Sequence, residues 1–293
     1  MMRIFFSLIV AVFTLSATAL CGDIPFTLEK GFVIISGKSK DGQPIQAAVF
    51  TGSSFSYASK DALKRLKLQM RLSSELLGGG TQENSIPFAT VPDLTFADQQ
   101  PVEVKMRERS FDTIEKSLGH RLDMIIGLDY LNGRIVQIDF KNRVLRFLDK
   151  APFDYTSAGK AGPNGEVRLT MRMEEHMRTL FGTPISMPIT EEIKINGSSV
   201  RTLFDTGVAY PVIVGPFAAK KNSLAGAPSK EETAKVQLKS VSLSGYEMAD
   251  VPALVRGSWD DTETRYAAIV GVGVMQNFTV TFDWKNKWIA LER

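Results

Sequence analysis

The chain has almost no cysteine and very little histidine. Its 293 residues include one cysteine, Cys21, and two histidines, His120 and His176. A single cysteine excludes an internal disulfide, so the stability of the folded chain must come from a hydrophobic core. Two isolated histidines are too few to supply the ligands of a typical zinc site or to favour a histidine-based nucleophile triad. We interpret both as surface or structural residues. The sequence therefore predicts no metal and no cofactor.

Runs of positive charge are absent as well. Lys and Arg total 35 against 32 Asp and Glu, which gives a formal net charge of +3. No basic run is interleaved with aromatic residues in the pattern that follows a phosphate backbone. Nucleic acid is therefore not expected as a partner.

Long apolar runs are confined to the N-terminus, and none reaches the ~20 residues of a membrane-spanning helix. The N-terminus has one arginine, an apolar run from Ile4 to about Leu15 and an Ala-x-Ala site at residues 17–19. This pattern is typical of a cleaved secretory signal rather than a membrane anchor, and we assign residues 1–22 to a signal peptide. The mature chain is then expected to lack a transmembrane segment.

An exported chain without disulfides fits a bacterial periplasm, or an extracellular location, better than a disulfide-stapled secretion. A form that is lipid-anchored through Cys21 is the less favoured alternative. Leu20 precedes this cysteine, where a small residue is expected for lipid attachment.

The rest of the chain contains an internal duplication. Residues 32–59 read as strand, Asp41-Gly42 turn, strand, Thr-Gly turn and strand, and residues 191–214 repeat this order around an Asn196-Gly197 turn and an Asp-Thr-Gly turn. The glycines suit hairpin turns, and the flanks are rich in β-branched and aromatic residues. A short helix is predicted after each copy, capped by Ser59 in the first and opened by Pro216 in the second.

A second pair of elements repeats further along the chain. Apolar residues lead into Gly127 and Gly271, which are 144 residues apart, and each glycine is followed by a closing strand. We assign residues 23–150 to a first lobe and residues 167–293 to a second, with a linker rich in Gly, Pro and Ala at 151–166. Two strand-rich halves predict a mostly antiparallel β protein with a cleft between its lobes.

These residues resemble the pepsin and retropepsin superfamily of aspartic proteases, and most of all bacterial exported aspartyl-protease-like proteins. The resemblance covers about residues 30 to 293, and it rests on the Asp-Thr-Gly turn, two apolar-apolar-Gly elements and two closing strands. It implies an all-β, bilobal acid protease fold made of two retropepsin-like lobes with short helices. It also implies aspartic-type endopeptidase activity on a peptide or protein segment in the inter-lobe cleft.

One position departs from the superfamily pattern. Two carboxylates about 3 Å apart share one proton, so that one takes a proton from water while the other donates to the scissile carbonyl. When the two turns are aligned on their Thr-Gly pairs, Phe50 stands opposite Asp205. A phenyl ring can neither accept nor donate a proton, and loss of one acid or base typically costs ~10²–10⁴-fold in rate. We therefore predict that proteolysis is lost or much reduced, and that Phe50 desolvates Asp205.

The candidate site residues follow from this alignment. The catalytic set is Asp205, Thr206 and Gly207; the degenerate turn is Phe50, Thr51 and Gly52; the supporting apolar-Gly elements are Ile125, Ile126 and Gly127 with Ile269, Val270 and Gly271.

Two alternatives to a non-catalytic protein stay open. The chain is an active endopeptidase if Asp205 pairs with Asp205 of another chain, or if it acts alone through water. The chain is instead a non-enzymatic β-rich exported protein if the duplication is misleading. The oligomeric state and the substrate do not follow from the sequence.

The glycine-rich stretch Gly78-Gly79-Gly80 has two interpretations. It lacks the Gly-Lys-Ser/Thr ending of a phosphate-binding loop. In the resembled fold it corresponds to the tip of a flap over the cleft, which three glycines suit. A plain flexible loop is the alternative.

Overall fold

The structure is a computed structural model of the chain. It describes residues 22–76, 83–97, 99–157, 167–174, 177–180, 183–225, 229, 232–259 and 265–293. Cys21 and nearly all of the predicted signal peptide lie outside these ranges. His176 and the predicted flap residues Gly78, Gly79 and Gly80 also lie outside them.

The first lobe is a set of strands with three short helices between them. The strands are β1 (Ile24–Glu29), β2 (Phe32–Lys38), β3 (Pro44–Val49), β4 (Tyr57–Ala58), β5 (Arg71–Leu76), β6 (Glu83–Phe96), β7 (Val102–Glu108), β8 (Met124–Ile126), β9 (Ile135–Asp139) and β10 (Val144–Leu148). The helices are α1 (Lys60–Arg65), α2 (Asp112–Leu118) and α3 (Leu128–Leu131).

The second lobe also consists of strands with short helices between them. Its strands are β11 (Arg168–Arg172), β12 (Met177–Leu180), β13 (Thr183–Ser186), β14 (Ile189–Thr190), β15 (Ile193–Ile195), β16 (Ser198–Ser199), β17 (Thr202–Phe204), β18 (Val212–Val214), β19 (Thr233–Leu243), β20 (Tyr246–Arg256), β21 (Ala268–Val270), β22 (Thr279–Asp283) and β23 (Trp288–Glu292). Its helices are α4 (Pro216–Lys221) and α5 (Val272–Met275). The predicted fold class, mostly β with short helices, is confirmed.

The two lobes are joined by a shared sheet. The closing hairpins β9–β10 and β22–β23 lie side by side, because β9 pairs antiparallel with β22 in a register that places Gln137 opposite Thr281. Strand β1 continues this sheet on the first-lobe side, and β11 continues it on the second-lobe side. The duplicated closing strands therefore form the bridge between the halves.

Each lobe repeats the same central arrangement. The strand before the Thr-Gly turn runs parallel to the apolar-Gly strand: β3 pairs with β8, and β17 pairs with β21. The strand after the turn then lies antiparallel on the other side, as β4 against β8 and β18 against β21. Strands β8, β17, β18 and β21 read as continuous apolar or small-residue runs because they are buried on both faces.

Two apolar clusters fill the interior of the described residues. The main core runs through both lobes, and Trp284, Phe204 and Phe282 are among its largest fully buried side chains. A smaller cluster, here called the α2 cluster, lies on the other face of the first-lobe sheet. It consists of buried Ile34, Ala48, Phe111, Leu122 and Ile125, against which Phe32, Phe50, Tyr57, Ile114 and Leu118 pack.

Local signals in the sequence explain several element boundaries. The Ser59 side chain accepts a hydrogen bond from the Ala62 N–H and caps α1, while Pro216 is the first residue of α4, as predicted. Asn196 and Gly197 both have positive φ, at 48° and 86°, which is the conformation of a two-residue hairpin turn.

The matched Asp and Asn of the closing hairpins have one structural role. Asp139 accepts hydrogen bonds from the backbone and side chain of Asn142, and Asp283 does the same for Asn286. Each pair therefore holds the turn between two closing strands. The repetition of these residues is explained by the geometry of the hairpin turn and not by a role in catalysis.

The described part of the predicted linker is packed on the second lobe. A single 3₁₀ turn spans Tyr155–Ser157, and the buried Tyr155 hydroxyl donates to Asp283 at 3.0 Å. Its ring also lies 5.6 Å from that of Trp288. Among the described residues, no helix has the length and apolar character needed to span a bilayer.

Candidate functional site

Two threonines clasp the predicted turns together within one chain. The backbone N–H of Thr51 donates to the Thr206 hydroxyl at 3.1 Å, and the backbone N–H of Thr206 donates to the Thr51 hydroxyl at 3.0 Å. Each hydroxyl in turn donates to the carbonyl of a strand in the other lobe, at Phe204 for Thr51 and at Val49 for Thr206. Both threonines are fully buried. Four hydrogen bonds thus fix the separation and orientation of the two turns.

The carboxyl group of Asp205 lies at this junction. Its Oδ1 accepts the backbone N–H of Gly207 at 2.7 Å and that of Gly52, from the opposite turn, at 3.0 Å. Its Oδ2 accepts no hydrogen bond from any residue in the described ranges. Burial raises the pKa of Asp205 above its ordinary value, and the two N–H groups oppose that shift without cancelling it.

The glycines after the threonines allow the turns to approach this closely. A Cβ at Gly52 would lie 2.4 Å from Cγ of Asp205. A Cβ at Gly207 would lie 2.8 Å from the ring of Phe50. No side chain fits at either position unless Asp205 or Phe50 shifts.

Phe50 occupies the position opposite Asp205. Its ring lies against Gly207, on the turn that carries the acid, and it stacks on Phe32 with centroids 5.9 Å apart and planes at 27°. The remainder of the ring packs on the α2 cluster. The first turn therefore contributes an aromatic surface where a second carboxylate would be needed for proton sharing.

The apolar-Gly elements hold both turns from behind. The backbone N–H of Phe50 donates to Ile126 at 2.9 Å, and that of Asp205 donates to Val270 at 3.0 Å. A Cβ on Gly127 or Gly271 would lie 2.3 or 2.2 Å from a carbonyl oxygen of the turn loop. The arrangement is thus the same in both lobes.

A partly buried acid behind the first turn was missed by the sequence analysis. Asp129 accepts hydrogen bonds from the backbone N–H of Ser56 at 2.9 Å and from its hydroxyl at 2.6 Å. Burial raises its pKa to about 6 against these hydrogen bonds. Gly273 takes the matching place in the second lobe, where Pro211 has no N–H to donate. Comparing the two copies residue by residue around Gly127 and Gly271 would have revealed this acid.

A second missed feature joins the lobes beside Asp205. Gly31, in the turn between β1 and β2, has φ of +85° and approaches Ala209 so closely that a Cβ on Gly31 would lie 2.5 Å from the Ala209 Cβ. The first-lobe hairpin therefore rests on the loop that follows the Asp-Thr-Gly turn. Phe32, the next residue, carries the ring that stacks on Phe50.

The remaining predicted residues give no additional chemistry. His120 lies at the surface, where Nε2 is 2.6 Å from Glu29 and the pKa of the imidazole is raised by that hydrogen bond. Within the described ranges, no group of three or more His, Cys, Asp or Glu side chains could hold a metal ion.

Comparison with solved structures places the fold. The chain is similar to an aspartic proteinase from Irpex lacteus, with a TM-score of 0.54 and 14% identity, over 92% of this chain and 96% of that chain. It also matches a retropepsin-like aspartic protease from Rickettsia conorii, with a TM-score of 0.31 and 14% identity, over 43% of this chain and 90% of that chain. No family model and no curated protein matched the chain. The first likeness, together with the duplicated turns, shows that the chain has the bilobal fold of pepsin-like aspartic proteinases.

Proposed function

We propose that the chain is an exported, aspartic-protease-like protein that binds an extended peptide segment in its inter-lobe cleft and cleaves it very slowly or not at all. The observation that carries the proposal is the placement of Phe50. Its ring lies against Gly207 of the turn that carries Asp205, in the place of a second acid.

The loss of the second acid removes a step that the carboxyl pair performs together. One carboxylate must take a proton from the attacking water while the other donates one to the scissile carbonyl. Asp205 alone cannot hold both roles in one step, and Phe50 has no titratable group. Residues that act as a unit lose most of their effect when one member is missing. The expected residual rate is therefore at least ~10²–10⁴-fold below that of a paired site.

The contacts between the two turns support the proposal of peptide binding. The threonine clasp and the backbone hydrogen bonds to Asp205 need no second acid, and they keep the turns in one defined geometry. An extended peptide can bind along a strand-lined cleft through its main chain, with side chains in alternating pockets. These contacts support the proposal that the chain binds a peptide without a second acid.

Two measurements on the purified chain test this proposal. Incubation with an unfolded protein substrate between pH 3 and 7 should give little cleavage, and Asp205→Asn should not change the background. Titration with a mixture of capped extended peptides should shift the NMR amide signals of Gly52 and Gly207. Cleavage that Asp205→Asn abolishes would overturn the non-catalytic proposal. Peptides that leave both amide signals unchanged would overturn binding in the cleft.

Activity through Asp205 alone is the second candidate. It is favoured by one observation, which is that Oδ2 of Asp205 carries no hydrogen bond within the described ranges while Oδ1 carries two. Pairing with Asp205 of another chain is disfavoured, because the Asp205 turn is already clasped by the Thr51 turn of the same chain. The cleavage assay above separates the single-acid candidate from the non-catalytic one.

A further inference from the structure

We propose that the first lobe carries a docking surface for an acidic, extended peptide segment of a partner protein. The surface, here called the arginine pair, consists of Arg107 and Arg109, and its guanidinium groups bind carboxylates at alternate positions of that segment. It includes no residue of the two Thr-Gly turns, so it goes beyond the proposed binding of a peptide in the cleft.

Strand pairing places both arginines on one face of the first-lobe sheet. Strand β7 runs parallel to β4, and the backbone N–H of Arg107 donates to the Ser56 carbonyl at 3.0 Å. The backbone N–H of Arg109 donates to the Ala58 carbonyl at 3.1 Å. Met106 of β7 is buried in the main core. Because successive side chains of a strand alternate between its faces, Arg107 and Arg109 both lie on the outward face.

Each arginine is stacked on an aromatic ring. Cζ of Arg107 lies 4.6 Å from the centroid of the Phe55 ring, and Cζ of Arg109 lies 5.1 Å from that of the Tyr57 ring. The two rings are 6.4 Å apart and pack on the main core. A guanidinium group on such a ring keeps its N–H donors at its edge and loses less side-chain freedom when a ligand binds. The donors are therefore held in place before a carboxylate arrives.

The N–H donors of both guanidinium groups are unused within the described ranges. Neither group makes a hydrogen bond or an ion pair with a described residue. Other arginines of the first lobe differ in this respect. Arg65 lies 2.6 Å from Asp123, and Arg121 lies 2.6 Å from Asp61. Two neighbouring arginines without an internal counter-ion favour a ligand that brings its own negative charge.

The spacing of the arginine pair fits an extended peptide. Alternate residues of a strand are about 6.6–6.8 Å apart, so carboxylates at positions i and i+2 of an extended segment match Arg107 and Arg109. Each carboxylate can accept two N–H groups from one guanidinium fork. A segment with the pattern Glu-x-Glu is therefore the expected ligand.

Nearby acids favour a short acidic segment over a continuous polyanion. Glu103 and Asp112 are exposed on either side of the arginine pair along the chain, and Glu108 lies between its members. Their like charge repels a chain of phosphates that extends past the two arginines. The formal net charge of +3 provides no broad positive field either. A peptide with two carboxylates and neutral flanks fits this distribution of charge.

Binding of defined peptides to the full chain tests the inference. The probes are capped peptides of Gly and Ser that carry a neutral fluorophore and contain Glu-Ser-Glu, Glu-Glu-Ser or Gln-Ser-Gln at the centre. In fluorescence anisotropy titrations at pH 7 and low salt, Glu-Ser-Glu should bind at least about tenfold more tightly than Gln-Ser-Gln and about threefold more tightly than Glu-Glu-Ser. Its affinity should fall as salt is added, because the charges that it pairs lie at the surface.

Single substitutions locate the binding surface. Arg107→Gln and Arg109→Gln should each weaken the binding of Glu-Ser-Glu by at least about tenfold. Arg109→Lys keeps the charge but loses the planar fork, so it should give a smaller loss of about threefold. Arg256→Gln is the matched control, because Arg256 also stacks on a ring, 5.7 Å from that of Trp259, but lies in the second lobe. This variant should bind as the unmodified chain does.

Reversal of charge gives a readout that a loss of structure cannot produce. The double variant with Arg107→Glu and Arg109→Glu should lose the binding of Glu-Ser-Glu and gain the binding of a Lys-Ser-Lys peptide. A folded double variant that still prefers Glu-Ser-Glu would contradict the inference.

Three other results would overturn it. They are equal binding of Glu-Ser-Glu and Gln-Ser-Gln, arginine variants that bind as tightly as the unmodified chain, and inorganic polyphosphate that binds more tightly than Glu-Ser-Glu. The NMR amide signals of Arg107 and Arg109 should shift with the peptide while that of Gly207 does not, so the result is independent of binding in the cleft. A shift of Gly207 alone would mean that the arginine pair is not the docking surface, and the proposed function would stand.

Discussion

The ring of Phe50 lies against Gly207 so closely that a Cβ on that glycine would be 2.8 Å from Cγ and Cδ2 of the ring. Gly207 also donates its N–H to Asp205. The side chain that replaces the second acid is thus in contact with the turn that carries the first. The change at residue 50 is accommodated at the centre of the site, while the backbone geometry of both turns is kept.

Restoring the missing acid is the first prediction. In Phe50→Asp, the new carboxylate would face Asp205 across the clasped turns, where two acids share a proton. We expect weak endopeptidase activity at acid pH on an unfolded protein substrate, at least ~10²-fold above the unmodified chain. Phe50→Asn is the control, because asparagine has the shape of the introduced aspartate but no titratable group. This variant should stay inactive.

Whether this variant is active, and whether its activity needs Asp205, decides the interpretation. Activity that also needs Asp205 would confirm that the cleft lacks only the acid. If Phe50→Asp folds, as judged by the amide signals of its β-strands, but remains inert, then other parts of the cleft no longer support catalysis.

The threonine clasp should contribute measurably to stability. Thr51→Val removes the hydroxyl that donates to Phe204 and accepts from the Thr206 N–H, so a buried carbonyl and a buried N–H lose their partner. We expect the free energy of unfolding to fall by about 1–3 kcal/mol for each of these groups. Urea unfolding at fixed pH measures the change. Thr113→Val, at an exposed position on α2, should be close to neutral; an equal effect in both variants would contradict a role for the clasp.

Export is a prediction that the folded structure leaves open. Expression of the full chain in a bacterium, followed by fractionation and N-terminal sequencing, should give a periplasmic protein that begins near residue 23. Replacing Leu8 within the apolar run by Arg should block this processing, because an apolar core is needed for recognition as a signal. Lipid attached to Cys21 would instead support the anchored form, and an unprocessed cytoplasmic chain would contradict export.

The sequence was informative where the two copies could be aligned. The Thr-Gly turns and the apolar-Gly elements occur in both halves, so the position of Phe50 opposite Asp205 followed from register alone. The two-lobed, mostly β architecture followed from the same duplication, and the pepsin-like fold followed from the resemblance that these elements carry.

Contacts that occur in one half only could not be predicted in this way. Gly31 touches Ala209 across the lobes, and no repeated motif marks either residue. The stacking of Phe32 on Phe50 depends on the same hairpin. Such contacts are set by how the lobes pack, which involves residues far apart in the sequence. The stacking of Phe32 on Phe50 was therefore visible only in three dimensions.

Asp129 supports a last prediction about the dependence of stability on pH. Its pKa is raised to about 6 in the folded chain from an ordinary value of 3.8. Because the folded state holds its proton more tightly than the unfolded state, the stability due to this proton is fully present below about pH 4. It declines as the pH rises toward 6, by about 3 kcal/mol in all at about 1.36 kcal/mol per pH unit.

Replacement of Asp129 by asparagine should remove this decline. The introduced amide would keep an oxygen for the Ser56 N–H, and its NH₂ could donate to the Ser56 hydroxyl oxygen. We expect the stability of Asp129→Asn relative to the unmodified chain to increase from pH 4 to pH 7, as measured by urea unfolding at several pH values. Asp112→Asn, at an exposed position on α2, controls for the loss of a carboxylate and should show no such trend. A constant difference between Asp129→Asn and the unmodified chain across this range would mean that Asp129 is already ionised at pH 4, and that its hydrogen bonds with Ser56 outweigh its burial.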